Sequence, residues 1–145
     1  MKRYIKSSND MYQSIDLGPV EDLPRNKLLQ GVEGLELKDM EPYQGKIVYV
    51  ISTTTYGNQY RLTPIEVIYY DHTPGRRGYG KSDLWGKLDE YSIGGVIPGT
   101  NSEKWYSTSD PTLYPPFSLL FTPSEANKIK SNAEAILNKR SHLNY

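Results

Sequence analysis

The chain has no cysteine among its 145 residues, which excludes disulfide staples and thiolate metal sites and suits a reducing compartment. It has only two phenylalanines and two tryptophans beside thirteen tyrosines. Nearly all of its aromatic surface therefore carries a hydroxyl, as suits rings placed where one side of a contact is apolar and the other wet. It has no excess charge, because 17 basic and 17 acidic side chains cancel. No global field draws it to nucleic acid or anionic lipid, and such binding would need a local patch. No stretch approaches the ~20 apolar residues of a spanning helix. The opening MKRYIKSSND is basic at its start but has no apolar core of a secretion signal. These absences predict a cytoplasmic protein with no membrane partner. No catalytic or metal motif of high specificity occurs, and nothing implies a cofactor.

At this length one domain covering 1–145 is expected, able to bury roughly 68% of its unfolded surface. Positions 1–20 read as an N-terminal arm and 74–116 as a loop-rich segment. The clearest local structure is a β-hairpin from Lys46 to Tyr70, where KIVYVISTTTY and QYRLTPIEVIYY flank Gly57 and Asn58. A two-residue loop with glycine first suits a type II′ turn and pairs Tyr56 with Gln59 and Ile51 with Pro64. In that register Pro64 falls in a non-hydrogen-bonded pair, so it marks an outer edge or a break. Ile47, Tyr49, Ile51 and Ile68 fall on one face and Val48, Val50, Ile65 and Val67 on the other, so both faces should be covered.

Near the C-terminus Thr122-Pro123-Ser124-Glu125 forms a capping box with proline at the first helical position. A helix is predicted from Pro123 to about Lys139. Ala126, Ile129, Ala133, Ile136 and Leu137 make a narrow apolar stripe on it, and Lys139 and Arg140 complement its C-terminal dipole. A helical turn is expected from Pro24 to Gln30, stopped by Gly31, and a strand over Val32 to Met40, where Leu35 and Leu37 alternate with charges. Ser8-Asn9-Asp10 reads as a helix cap before MYQSI. Glycine and proline punctuate the segment from Pro74 to Pro116, leaving room only for short strands, and Leu119 to Phe121 reads as a returning strand. The fold class predicted is α+β, an antiparallel sheet around the central hairpin with the amphipathic C-terminal helix packed on it.

The best local candidate for chemistry is GRRGYGK, Gly75 to Lys81. Its glycines let backbone approach a ligand, Arg76, Arg77 and Lys81 supply phosphate donors, and Tyr79 offers a stacking ring. With Ser82 the letters match GxxxxGK[ST], but a P-loop joins a buried parallel strand to a long helix, and the broken SDLWGKLDEYSIGG that follows does not supply one. Asp71-His72 invites a general-base role, although neighbours on a strand point apart, so His72 reads as a turn residue. A metal site with two histidines would require His142 of the tail to fold back. Asp83, Asp89 and Glu90 read as a solvated charged face, with a hydrolytic carboxylate pair as the sharper alternative.

The first eight residues, MKRYIKSS, resemble the opening of small uncharacterised proteins of bacteriophages and other mobile elements of Firmicutes. That resemblance implies a host-directed accessory role, one form of which is inhibition of a defence system such as CRISPR. The stretch EPYQGKIVYVI, Glu41 to Ile51, also resembles the opening strand of SH3-like small barrels. The expectation is a non-enzymatic protein-binding module that meets a host protein or complex through Arg76, Arg77, Tyr79, Lys81, Trp85, Trp105 and Tyr106, since tyrosine, tryptophan and arginine dominate binding hot spots. The rival expectation is a nucleic-acid or nucleotide-binding protein centred on Gly75 to Lys81.

Overall fold

The computed structural model describes residues 12–54, 56–74, 89–108 and 120–143, with side chains to Lys139. It is an α+β fold whose six strands are β1 (Ile15–Pro19), β2 (Ile47–Thr53), β3 (Gln59–Thr73), β4 (Glu90–Val96), β5 (Glu103–Ser107) and β6 (Leu120–Phe121). The helices are the short α1 (Arg25–Leu28) and the long α2 (Pro123–Leu143). The strands form one sheet in the order β5-β4-β3-β2-β6, and every pairing is antiparallel.

Strand β3, 15 residues long, is the axis of the sheet. One of its edges pairs with β2 through Tyr60 to Glu66. Its other edge is shared end to end, with β1 on Gln59 to Leu62 and β4 on Glu66 to Thr73. Pro64 falls in the gap between those two partners and stands opposite Tyr49 in a non-hydrogen-bonded position of the β2 ladder. Its missing N–H therefore costs no ladder bond. Of the two readings, an outer edge or a break, the edge holds: the strand runs through the proline and only its outer edge is locally unpaired.

The hairpin forms where expected, but its register differs by two residues. Thr54, not Tyr56, faces Gln59, with the Thr54 N–H donating to the Gln59 carbonyl at 2.9 Å and the Gly57 N–H donating to the Thr54 carbonyl at 2.7 Å. The longer turn places Gly57 at φ 71°, the left-handed conformation that glycine adopts without strain. A slip of two leaves every side chain on its predicted face.

Both faces are covered, as the apolar pattern requires. On one face Tyr49, Ile51, Tyr60, Leu62 and Phe121 pack against Leu17, Leu23, Leu28 and the Ala126, Ile129 and Ala133 stripe of α2. On the other, Val48, Val50, Ile65, Val67, Ile93 and Leu120 pack against Leu37 and Met40. The latter two come from the segment Val32 to Met40, which is no strand. It makes a single bridge, Leu35 to Leu120, and then tightens into 3-10 turns at Leu37–Asp39 and Glu41–Tyr43. Its alternating leucines suit both forms, and the demand for a lid over the second face decides between them.

The capping box of α2 is formed as predicted. The Thr122 N–H donates to Glu125 Oε1 at 3.0 Å, and the Glu125 N–H donates to Thr122 Oγ1 at 3.1 Å. The helix runs four residues past Lys139, to Leu143. The turn at Pro24 forms as α1, with Gly31 at φ 78° beyond it. Of the expected N-terminal arm, Ile15 to Pro19 is instead a strand of the sheet. The expected helix after Ser8-Asn9-Asp10 is likewise corrected at Ile15, while the cap residues themselves lie outside the described residues.

Candidate functional site

The pleat alternates along β3 until a bulge between Val67 and Tyr69. Val67 and Tyr70 both pack into the second core. Two residues three apart on one face require one extra residue between them, which sends Ile68 and Tyr69 together to the opposite face. There Ile68 is 53% exposed and Tyr69 41% exposed. This corrects Ile68, which the regular hairpin pattern places on a covered face.

Tyr69 is the start of a row across three strands, Tyr69–Gly94–Trp105. The rings of Tyr69 and Trp105 lie 5.4 Å apart, tilted by 58°. Between them Gly94 has no side chain, and the space is taken by the indole: a Cβ at this position would come within 2.6 Å of the Trp105 ring. Trp105 is nevertheless 52% exposed. Helix α2 packs over β1, β2 and β6, so this end of the same sheet face presents its aromatic rings outward. Gly95, the next residue, permits a different close approach, because a Cβ there would meet the Glu66 carbonyl oxygen at 2.7 Å. These two glycines, which read as loop residues in the sequence, are the interior of β4.

Carboxylates stand in the flanking rows of that face. One row is Glu66–Val96–Glu103 and the other Asp71–Ser92–Ser107, with Glu90 opposite Thr73 beyond it. The Trp105 Nε1–H donates to Glu103 Oε1 at 3.2 Å, and Ser107 Oγ donates to Glu90 Oε2 at 3.1 Å. No lysine or arginine occupies these register positions among the described residues.

The opposite face at this end holds a second polar group. His72 stacks on Tyr91 with ring centroids 4.4 Å apart and planes within 10°. His72 Nε2 lies 2.8 Å from Asp89 Oδ2, and the Tyr91 hydroxyl donates to the same oxygen at 3.4 Å. His72 is thus a strand residue and not a turn residue, and its carboxylate partner is Asp89 rather than the adjacent Asp71, which accepts from Thr73 Oγ1. Both members of the pair are partly exposed. Tyr70 donates to the Lys38 carbonyl at 3.3 Å, and its hydroxyl pKa is raised by desolvation and then by Glu41 and other nearby groups. Among the described residues no group of three or more His, Asp or Glu could hold a metal ion. A groove of about 490 Å³ lies at the far end of the molecule, between α1 and α2, lined by Lys27, Asn132, Ile136 and Lys139 among others.

Of the sequence candidates, Arg76, Arg77, Tyr79, Lys81 and Trp85 lie outside the described residues, as do Asp83 and the whole of Gly75 to Lys81. The strands on either side of that segment, β3 and β4, are antiparallel neighbours, whereas a P-loop serves a parallel strand followed by a helix. Trp105 and Tyr106 are described, and they part company. Trp105 is on the exposed aromatic face, while Tyr106 faces the second core and its hydroxyl pKa is raised by burial. Tyr69, Gly94, Glu66 and Glu103 were not singled out by the sequence, since the bulge that gathers them is set by pairing with β4. No helix among the described residues is long and apolar enough to cross a membrane. Comparison with protein-family models, with curated proteins and with solved structures finds no match.

Proposed function

We propose that the chain is a non-enzymatic protein-binding module that acts by occupying a site on a larger partner, through the face bearing Tyr69 and Trp105. The observation that carries this is the exposure of Ile68, Tyr69 and Trp105 side by side on one end of a sheet face whose other end is buried under α2. Scattered exposed apolar residues need no explanation, but contiguous ones backed by a rigid sheet mark contact surfaces. The resemblance of MKRYIKSS to phage and mobile-element proteins supports placing the partner in a bacterial host cytoplasm, with inhibition of a defence system such as CRISPR as one form of the activity.

The test is affinity capture from a Firmicutes lysate with wild type and with a Tyr69→Ser, Trp105→Ser double variant of unchanged unfolding midpoint. A protein enriched by wild type and lost by the variant supports the proposal. Equal capture by both, or enrichment of RNA or nucleotide in place of protein, overturns it, the latter in favour of the basic segment Gly75 to Lys81.

A further inference from the structure

We infer that the segment received by this face is basic, presenting lysine or arginine side chains that lie over the Tyr69–Trp105 pair and reach the carboxylates around it. This inference rests on the proposed protein-binding function and specifies the chemistry of the partner. The chain as a whole is neutral, yet among the described residues the register positions of this face carry Glu66, Glu103, Asp71 and Glu90 and no cation. Strands are about 4.8 Å apart, so the backbones at Glu66 and Glu103 flank the intervening β4 at about twice that spacing, within the span of one extended peptide.

The aromatic pair and the carboxylates act on the same ligand group. The Trp105 indole is seated over Gly94 and its N–H donates to Glu103 Oε1, so the carboxylate sits at the ring's edge. A guanidinium or ammonium group within about 6 Å of the ring is drawn by the ring quadrupole and by that carboxylate together. Arginine gains most, since its planar group stacks on indole while its N–H fork meets an acid.

The same charge arrangement argues against other occupants. A nucleic-acid backbone or an anionic lipid surface would set phosphates against four carboxylates. A second copy docked by a two-fold axis through this face would oppose the acidic rows to themselves. Charge complementarity suppresses such partners and speeds encounter with cationic ones.

The experiment uses the full chain, whose two indoles are Trp85 and Trp105. Its fluorescence is followed during titration with a synthetic peptide of alternating arginine and valine, and with counterparts carrying glutamine or glutamate in place of arginine. Saturable quenching by the arginine peptide alone is expected, weakened roughly tenfold by Glu66→Gln with Glu103→Gln and weakened by added salt, while Glu134→Gln on α2 leaves it unchanged. The same affinity for the glutamine peptide, insensitivity to the Glu66/Glu103 pair, or no saturable binding of the arginine peptide overturns the basic-partner inference. Whether the face binds protein at all is decided separately, by the loss or retention of capture in the Tyr69/Trp105 double variant.

Discussion

The carboxylate of Glu125 joins the first turn of α2 to a loop 91 residues earlier, accepting the Gly34 N–H on Oε2 at 3.0 Å while Oε1 accepts the Thr122 N–H. One side chain thus completes a local cap and pins the segment that covers the second face of the sheet. Glu125→Ala leaves two partly buried backbone donors without their acceptor and should cost about 1.5 to 3 kcal/mol, against about 1 kcal/mol for Thr122→Ala. Urea unfolding of both variants checks the order, and equal costs would mean that the Gly34 bond contributes nothing.

Ile129 and Ile136 differ in the same helix. Ile129 is fully buried under the first face, whereas Ile136 only borders that core. Ile129→Ala should cost about 2 to 5 kcal/mol and Ile136→Ala clearly less, because a partly exposed site loses less apolar burial and leaves no closed cavity. Comparable midpoints for the two variants would show that the helix docks in a different rotation.

Gly94 and Gly95 should respond differently to alanine. At Gly95 the new Cβ meets the Glu66 backbone oxygen, which can yield only by moving β3, so a loss of about 1 to 3 kcal/mol is expected. At Gly94 the obstacle is the outer part of an exposed indole, which can tip away. Gly94→Ala should therefore leave the unfolding midpoint within about 1 kcal/mol of wild type while changing Trp105 fluorescence and weakening partner capture. A midpoint shift at Gly94 as large as that at Gly95 would show that the ring is held too firmly to tip away.

Buried tyrosines set a limit at alkaline pH. The Tyr49 hydroxyl pKa is raised above the ordinary 10.0, by burial first and by Tyr12 second, and that of Tyr106 is raised by burial. The unfolded chain then releases these protons at lower pH than the folded one. The stability linked to them is full below about pH 10 and is lost as pH rises from there through the raised folded values. Tyr49→Phe keeps the ring and removes the ionisation, so its stability should fall less steeply over that range. An unchanged slope in urea midpoint against pH, for both Tyr49→Phe and Tyr106→Phe, would exclude this linkage.

What the sequence determined by itself was whatever rests on neighbours in the chain. Thr122 to Glu125 specify the start of α2 because capping bonds span three residues, and Ala126, Ile129 and Ala133 specify its buried side because helical spacing is local. The hairpin and its two apolar faces are equally legible in the alternation of Ile47 to Ile51 and Leu62 to Val67. Tertiary structure decided what that alternation leaves degenerate. A register slip of two returns every side chain to its face, so the pattern cannot tell Tyr49 from Ile51 as the partner of Pro64. The Val67–Tyr69 bulge, which turns Ile68 and Tyr69 out together, exists only because β4 pairs there, with Gly95 pressed against the Glu66 carbonyl oxygen. Leu35 and Leu37 became part of a lid because the second face of the sheet needed cover. The separation of Trp105 from Tyr106 follows the same pleat, and the acidic setting of Trp105 comes from three strands that meet only in the folded chain.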